Sequence, residues 1–426
     1  MELELVTIGN ELLLGFTLDT NTAELATALN AVGVRLVRST TVADTPDAIR
    51  DAVRDALART GFVVTTGGLG PTRDDVTKKV VADLFGAPLD LDAEYLEELR
   101  KRFERLGRGP MSEKNRSQAE IPRGAVALQN PRGTAPGVWL EGPPGVVVML
   151  PGVPHEMRGL LETELVPRLV RRMAGSDTTV TRSRLLRTTG IAESSLADEL
   201  EGVDERIAPV TLAYLPSLEG VDLRLTAWHM AAAAADAALE DAVQAILPLL
   251  GRRYYAEADG DLAAVVLDGL GRAGHRLATA ESCTGGLLGE RITAIGGSSA
   301  VYVGGVVAYA NEVKGGVLEV SPDILERHGA VSEEVARAMA RGVAERLGVS
   351  AAMAVTGVAG PGGGTPDKPV GTVYVAARLG DADRVVRLGL SGDRDAVRRR
   401  SAQAALDLLR GLLARSVGAE DPGLAG

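Results

Sequence analysis

The segment LATAESCTGGLLGERI, residues 277–292, places three potential nucleophiles side by side. Ser282, Cys283 and Thr284 follow a short apolar run and precede a glycine pair that opens a helix-like stretch. A hydroxyl or thiol becomes an effective nucleophile only when a nearby base takes its proton or when its own pKa is lowered. The segment therefore predicts covalent catalysis only if the fold supplies such a base.

Histidine would be the usual base, but neither His275 nor His328 is placed near this segment by a motif. Cys283 is the stronger nucleophile as an anion, yet a lone cysteine behind an apolar strand is more often a small buried residue. Thr284 is predicted to cap the helix that follows. On residue types alone, Ser282 and Cys283 both stay open as the nucleophile.

A second candidate site is the glycine loop TTGGLGPTRDDVTKKVV. It lacks the GK[ST] of a Walker A loop and the spacing of the dinucleotide GxGxxG. Gly67, Gly68 and Gly70 remove side chains where backbone N–H groups at a strand end could approach a phosphate. Asp74 and Asp75 follow, and Asp74 is predicted mainly to stabilise the start of the next helix.

Asp75 has a possible functional partner in Asp44, which follows the run VRSTTV. Ligands of open α/β sheets gather beyond the carboxyl ends of strands, so the two acids could hold a divalent cation such as Mg²⁺ against a pyrophosphate. Asp44 could equally be a turn acid before Thr45. Thr45 is predicted to cap a helix that has Pro46 at its first position.

The elements that position these residues fall into an α/β chain with three domains and a short tail. Strand and helix patterns alternate in the first and third domains, which predicts parallel sheets covered by helices. The middle domain reads as a small α+β connector. The predicted boundaries are 1–172, 173–256 and 257–418, with a flexible tail over 419–426.

Composition narrows the functional classes. The formal charge of -11 argues against extended nucleic-acid contact, and aromatic residues, at 3%, are too few for base-stacking platforms. One cysteine excludes an internal disulfide, and apolar runs fall short of the roughly 18 residues of a membrane helix. We expect a cytoplasmic protein with no membrane or nucleic-acid partner.

Several long motifs, in order, resemble one known family. IGNELLLGFTLDTN, VADTPDAI, TTGGLGPTRDDVT, NPRGTAPG and LPGVPHEM resemble the molybdopterin-binding fold and, more closely, the amino-terminal half of the CinA family of competence/damage-inducible proteins. AESCTGG, YANEVK, GAVSEEVA and AVTGVAGPGGGTPDKPVGTVYVA resemble the carboxy-terminal half of that family, a nicotinamide mononucleotide deamidase. The resemblance implies a three-layer amino-terminal domain and an α/β deamidase domain, while the size and α+β pattern of the connector indicate a KH-like module.

For the amino-terminal domain the resemblance implies hydrolysis of ADP-ribose to AMP and ribose 5-phosphate with a divalent metal. Asp44 and Asp75 would be the metal ligands, and Asp75 also a catalytic residue. The substrate-binding residues would be Gly67, Gly68, Gly70, Glu11 and Asn21. No cofactor is implied for the deamidase domain.

For the carboxy-terminal domain the resemblance pairs Ser282 with Lys314 of YANEVK. Taken alone, Lys314 would be read as a solvated surface lysine and Tyr309 as a core residue. As the base, Lys314 needs a lowered pKa and hence a desolvated side chain. Tyr309 would orient the lysine or the substrate, and the substrate-binding residues would be Thr284, Gly285, Thr356, Gly357, Gly360 and Arg394.

The expected mechanism is attack of Ser282 on the carboxamide carbon while Lys314 takes the proton and later returns it to departing ammonia. Backbone N–H groups at the start of a helix over 284–294 are predicted to bind the oxyanion. We expect a homodimer.

Two other functions compete with a bifunctional hydrolase. The amino-terminal domain could bind a pterin or nucleotide only, as a sensor or scaffold. A DNA-uptake or damage-response binding role is indicated by the family name alone. In the connector, TTGIAESS lacks the second glycine of the GxxG loop that a working KH module needs, so we expect no RNA binding.

Overall fold

A computed structural model describes residues 1–105, 111–173 and 179–417. The chain divides into two compact units, one of residues 1–182 with 228–235 and one of residues 183–227 with 236–426. The predicted tail, 419–426, lies outside the described residues. Within them, no helix combines the length and the apolar character that a membrane span requires.

In its described residues, the amino-terminal unit has eight strands and seven helices before the connector. Its strands are β1 Glu2–Ile8, β2 Arg35–Val42, β3 Phe62–Thr66, β4 Leu89–Leu91, β5 Glu120–Pro122, β6 Val126–Leu128, β7 Gly137–Gly142 and β8 Gly145–Leu150. Its helices are α1 Asn10–Leu13, α2 Thr20–Ala31, α3 Pro46–Thr60, α4 Thr77–Leu84, α5 Ala93–Arg105, α6 Pro154–Leu160 and α7 Val166–Arg172. A 3-10 helix spans Glu113–Ala119, and a π-turn, Leu161–Leu165, joins α6 to α7.

The main sheet of this unit has the order β2-β1-β3-β8-β7-β6. The pairs among β2, β1, β3 and β8 are parallel, whereas β7 is antiparallel to both of its neighbours. Side chains of each strand alternate between two apolar clusters, so that Leu5 and Val64 pack on one face and Val6 and Val63 on the other. Helices cover both faces, which confirms the predicted three-layer α/β/α fold.

Helix α3 shows why the sequence pattern succeeded here. Ile49, Val53 and Ala56 are buried at helical spacing, and Gly61 ends the helix in the left-handed conformation. Pro46 begins the helix as predicted. Thr45 stands at the cap position in extended conformation, as predicted, and its side chain makes no capping hydrogen bond.

The connector forms a four-stranded antiparallel sheet with three helices. Its elements are β9 Val180–Thr188, α8 Glu193–Glu199, α9 Val203–Ile207, β10 Thr211–Pro216, β11 Val221–Met230, α10 Ala232–Leu250, a 3-10 turn Gly251–Arg253 and β12 Tyr254–Glu257. The strand order is β10-β11-β9-β12. Gln403 of the carboxy-terminal domain donates to the Thr189 hydroxyl at 3.2 Å, and Arg410 donates to the Tyr254 carbonyl at 2.8 Å.

The carboxy-terminal domain has a five-stranded sheet of order β14-β13-β15-β16-β17. Its strands are β13 Leu277–Glu281, β14 Tyr302–Val307, β15 Ala351–Gly357, β16 Thr372–Leu379 and β17 Ala382–Gly389. Its helices are α11 Leu262–Arg272, α12 Leu287–Thr293, α13 Asn311–Gly316, α14 Pro322–His328, α15 Glu333–Leu347 and α16 Arg394–Val417, with a 3-10 turn at Ser298–Ala300.

In that sheet, β13 is the central parallel strand, flanked by β14 and β15. Its residues also alternate, since Leu277 packs in one apolar cluster and Ala278 and Ala280 pack in another. The carboxyl end of a central parallel strand is the edge at which α/β proteins bind ligands.

Candidate active sites

Ser282 follows directly on the last residue of β13. Its backbone N–H donates to the Val355 carbonyl of β15 at 2.9 Å, and its side chain is nearly buried, with the residue 8% exposed. Among the residues that the structure describes, no hydrogen bond holds its hydroxyl. The hydroxyl is therefore free to engage a base or a substrate.

Lys314, on α13, is 1% exposed. Its Nζ donates to the carbonyls of Ala308 at 2.9 Å and Tyr309 at 3.2 Å. Burial lowers the pKa of Lys314, against the opposing effects of the Cys283 thiol and of Glu312. The desolvated lysine that the proposed chemistry needs is thus present.

One chain of backbone contacts links the serine strand to the lysine. The Glu281 carbonyl, immediately before Ser282, accepts from the Ala308 N–H at 2.7 Å. The Ala308 carbonyl in turn accepts from Lys314 Nζ at 2.9 Å. Two residues that are far apart in the sequence are thereby tied to the same strand end.

Cys283 has the surroundings of a structural residue. It is 6% exposed within an apolar cluster that includes Leu288 and Ile292. Burial raises the pKa of its thiol to about 11, so the thiol is protonated near neutral pH. These surroundings favour Ser282 over Cys283 as the nucleophile.

The predicted cap role of Thr284 is wrong. Helix α12 begins at Leu287 with Gly286 in the cap position, in a left-handed conformation. The Thr284 hydroxyl is buried and has no hydrogen-bond partner in the described parts of the chain. Its carbonyl accepts two bonds from Arg398, at 2.8 and 3.1 Å.

The helix start is instead satisfied by Glu281, which the sequence analysis missed. Its carboxylate, 2% exposed, accepts from the N–H groups of Gly286 at 3.0 Å, Leu288 at 3.0 Å and Gly289 at 2.8 Å. These three N–H groups are therefore occupied and are not free to bind an oxyanion. An oxyanion role for the N–H groups nearer Thr284 stays a prediction. The signal was an acid at the strand end, five residues before the second glycine of TGG.

Two predicted substrate-binding residues, Gly360 and Arg394, meet the predicted catalytic residue Tyr309 near this strand end. Arg394, the first residue of α16, donates to the Gly360 carbonyl at 2.6 Å and to the Tyr309 hydroxyl at 3.1 Å. Tyr309 is 60% exposed, so its ring faces solvent rather than the core. The group presents a guanidinium and an aromatic ring at the rim of the serine–lysine site.

Three other residues predicted to bind substrate, Thr356, Gly357 and Gly285, also help to fix the local backbone. Thr356 is buried, and its hydroxyl donates to the Ala330 carbonyl at 2.7 Å, which leaves that oxygen only acceptor capacity. A Cβ at Gly357 would lie 2.7 Å from a Val373 methyl group. Gly285 has a φ of +61°, in the left-handed region that favours glycine.

In the amino-terminal unit, the predicted residues lie beyond the carboxyl ends of adjacent parallel strands. Glu11 follows β1, Asp44 follows β2 and the glycine loop follows β3. Asp44 accepts from the Asn10 N–H at 2.8 Å. A Cβ at Gly67 would lie 2.1 Å from a carbonyl oxygen of β1, so the loop packs directly on that strand.

The acids after the glycine loop belong to a turn, not to a helix start. Asp75 Oδ2 accepts from the Thr72 N–H at 2.8 Å and from the Thr72 hydroxyl. A hydrogen bond from the Thr72 side chain lowers the pKa of Asp74, which is exposed. Helix α4 begins later, at Thr77, whose hydroxyl donates to the Gly67 carbonyl at 3.0 Å. The predicted helix-start role of Asp74 is therefore wrong.

Tight packing around the loop brings in further predicted residues. A Cβ at Gly70 would lie 2.4 Å from Asp75 Oδ2, and one at Gly68 would lie 2.0 Å from the Thr77 hydroxyl. Asn21 donates to the Gly152 carbonyl at 2.8 Å, while its Oδ1 is buried without a partner among the described residues. An unpaired buried acceptor is uncommon in folded proteins, because buried polar atoms are nearly always hydrogen-bonded to protein or water.

Asp44 and Asp75 supply carboxylate oxygens, the kind of ligand that Mg²⁺ takes from proteins. Within the described residues, no group of three or more His, Cys, Asp and Glu could hold a metal ion. Asp44 and Asp75 each use Oδ2 in a backbone hydrogen bond, while no bond to Oδ1 of either is found in that part of the chain. Mg²⁺ is commonly held by one or two carboxylates with substrate phosphates and water.

Two residues of the quoted motifs were missed as a pair. Asn130 of NPRGTAPG donates to Glu156 of LPGVPHEM at 2.7 Å and to the Ala135 carbonyl at 2.8 Å. A Cβ at Gly133 would lie 1.8 Å from the Glu156 carboxyl carbon. The two motifs form one structure at the β8–α6 junction, which their separation in sequence conceals.

The fold and the two sites define a three-domain α/β protein with a molybdopterin-binding-like amino-terminal domain. Three family models match the chain in order. They are "Probable molybdopterin binding domain" over residues 4–171, "Damage-inducible protein CinA KH domain" over 183–256 and "CinA C-terminal domain" over 259–413.

Relatives match nearly the full length. A CinA-like protein of Gemmatimonas aurantiaca is 52% identical, with 98% of each chain covered. One of Parasynechococcus marenigrum is 44% identical over 97% of this chain and 99% of its own. The crystal structure of CinA from Thermoplasma acidophilum is 35% identical over 40% of this chain and 97% of its own, with a TM-score of 0.37. The chain belongs to the CinA family.

Proposed function

We propose that the carboxy-terminal domain hydrolyses the carboxamide of nicotinamide mononucleotide, with Ser282 as nucleophile and Lys314 as base. The observation that carries this proposal is a buried lysine linked through the Ala308 and Glu281 backbone to a serine whose hydroxyl has no hydrogen bond within the described residues. A desolvated lysine can replace histidine as the base of a serine nucleophile. The buried, protonated Cys283 thiol removes its main competitor.

The hydrogen bonds of Lys314 suit a base. A neutral amine has two N–H donors and one lone pair, and the carbonyls of Ala308 and Tyr309 match the two donors. The lone pair then accepts the Ser282 proton as Oγ bonds to the carboxamide carbon. Collapse of the intermediate breaks the C–N bond, and Lys314 returns the proton to the leaving ammonia.

Water completes the reaction. With Lys314 again neutral, it takes a proton from water as the oxygen attacks the acyl carbon. The bond to Ser282 Oγ then breaks, Oγ regains the proton, and nicotinate mononucleotide leaves. Arg394, with donors beyond the two that bind Gly360 and Tyr309, would bind the substrate phosphate.

The rate of deamidation should follow the protonation of Lys314. Because burial lowers the pKa of Lys314 and only the neutral amine acts as base, kcat/KM should rise with pH and level off below about 10.4, the usual lysine value. A pH profile of kcat/KM measures this limb, and Cys283→Ala should keep it unchanged. A limb centred at or above the ordinary lysine pKa would contradict the assignment.

We also propose that the amino-terminal domain hydrolyses ADP-ribose to AMP and ribose 5-phosphate with a divalent cation. Glu11, Asp44, Asp75 and the glycine loop share one sheet edge, and their backbone and carboxylate groups suit a pyrophosphate with its counterion. A divalent cation bound by Asp44 and Asp75 would neutralise charge on the pyrophosphate oxygens. Asn21 Oδ1 is an acceptor left open for a ribose hydroxyl.

A binding-only amino-terminal domain is the second candidate. It is favoured by the description of the matching family model as a probable molybdopterin-binding domain. Such a domain would bind a pterin or a nucleotide without turnover.

Product analysis with the full chain separates these possibilities. We expect ammonia and nicotinate mononucleotide from nicotinamide mononucleotide without added metal, and AMP with ribose 5-phosphate from ADP-ribose only with Mg²⁺ or Mn²⁺. Failure of the first reaction would overturn the deamidase proposal. Binding of ADP-ribose without AMP release under several divalent ions would favour the binding-only domain.

A further inference from the structure

We propose that Glu281 and Arg398 are positioning residues that clamp the nucleophile segment, residues 282–289, from two sides. The clamp holds Ser282 in register with Lys314. Its kinetic consequence depends on the proposed deamidase function, whereas its structural consequence does not.

The first half of the clamp is a buried carboxylate. The Glu281 carboxylate accepts hydrogen bonds from three backbone N–H groups of the segment, those of Gly286, Leu288 and Gly289, at 2.8 to 3.0 Å. Both carboxylate oxygens take part. Three N–H donors stabilise a buried charge that would otherwise be costly.

The second half of the clamp is a guanidinium, whose charge is opposite to that of the Glu281 carboxylate. Arg398 of α16 donates through Nε and Nη2 to the single carbonyl of Thr284. A Cβ at Gly285 would lie 3.9 Å from the same Nη2, so the guanidinium lies against the turn itself. The segment thus has its N–H groups held by an anion and its carbonyl held by a cation.

The segment needs such restraint because its backbone is intrinsically free. Gly285 and Gly286 have φ values of +61° and +96°, and glycine loses more conformational freedom on ordering than any other residue. The Glu281 carbonyl also accepts from the Ala308 N–H, and the Ala308 carbonyl accepts from Lys314 Nζ. The positions of the nucleophile Ser282 and the base Lys314 therefore both depend on Glu281.

Glutamine cannot replace Glu281 in this arrangement. Its side chain has nearly the same shape, but in either orientation its NH₂ group faces at least one backbone N–H. Two donors then meet without an acceptor in a buried position, which opens the segment.

The test compares Glu281→Gln with Glu290→Gln, the same chemical change on an exposed side chain of α12. We expect Glu281→Gln to lower kcat about 100-fold, the effect of misplacing a reacting group by about 1 Å, with KM unchanged. A loss confined to kcat separates positioning from substrate binding. Glu290→Gln should keep both constants.

Cys283 supplies a readout that needs no activity. It is the only cysteine of the chain and is 6% exposed inside the clamped segment. Its reaction with a thiol reagent in the native protein therefore reports opening of this segment. We expect labelling about tenfold faster or more in Glu281→Gln than in wild type or Glu290→Gln, with the same far-UV spectrum.

Arg398→Met, with Arg399→Met as its exposed control, tests the other half and serves if Glu281→Gln does not fold. It too should speed labelling. Wild-type labelling and wild-type kcat in both clamp variants would overturn the proposal, as would unprotected exchange of the Gly286, Leu288 and Gly289 amides in the wild type. An inactive wild type whose clamp variants still label faster would overturn the deamidase function alone.

Discussion

Ser282→Ala should lower kcat for deamidation of nicotinamide mononucleotide by about 10³-fold or more, because no covalent intermediate can form. The substitution removes a hydroxyl that has no hydrogen-bond partner in the described structure, so the folded state should be little affected. Ammonia release under saturating substrate measures the effect, with thermal unfolding as the check on folding.

Cys283→Ala is the matched control for this loss. The thiol lies one residue away and is buried with a pKa of about 11, so its removal should leave most of the activity. The kcat of Lys314→Gln should be about 10²- to 10⁴-fold below that of the wild type, because a general base usually contributes that factor. If Cys283→Ala proves to be the inactive variant while Ser282→Ala turns over, the nucleophile is the thiol and the serine mechanism is wrong.

Local patterns were sufficient for most helices and strands of this chain. In α15, every fourth residue from Val335 to Val343 is buried. The Ser332 hydroxyl caps the helix by accepting from the Val335 N–H. Such signals lie within a few residues of one another. Helix α4 departs from this rule, because a contact between Thr77 and the distant Gly67 carbonyl fixes where it begins.

The contacts that build the candidate sites could not be predicted from local sequence patterns. Lys314 is buried by elements that are distant in the chain, and polarity alone would place a lysine at the surface. Glu281 precedes the serine in the motif, yet its role depends on the backbone returning to it at Gly286 and Gly289. The pair of Asn130 and Glu156 likewise joins two separate motifs.

The glycine loop of the amino-terminal unit leads to the second large effect. Asp75→Asn should lower metal-dependent release of AMP from ADP-ribose by about 100-fold or more, since a cation there supplies several kcal/mol of charge stabilisation. The asparagine oxygen can still accept from the Thr72 N–H and hydroxyl, as Asp75 Oδ2 does. The turn should therefore persist while the second anionic oxygen is lost.

Asp74→Asn is the control that makes the Asp75 result specific. Asp74 is the adjacent acid, is exposed and also interacts with the Thr72 side chain, so its substitution removes the same charge from the same turn. AMP release should stay near the wild-type level in Asp74→Asn, and higher Mg²⁺ alone should not restore it in Asp75→Asn. Equal losses in both variants would mean that the general negative charge of the turn matters, and that Asp75 is no metal ligand.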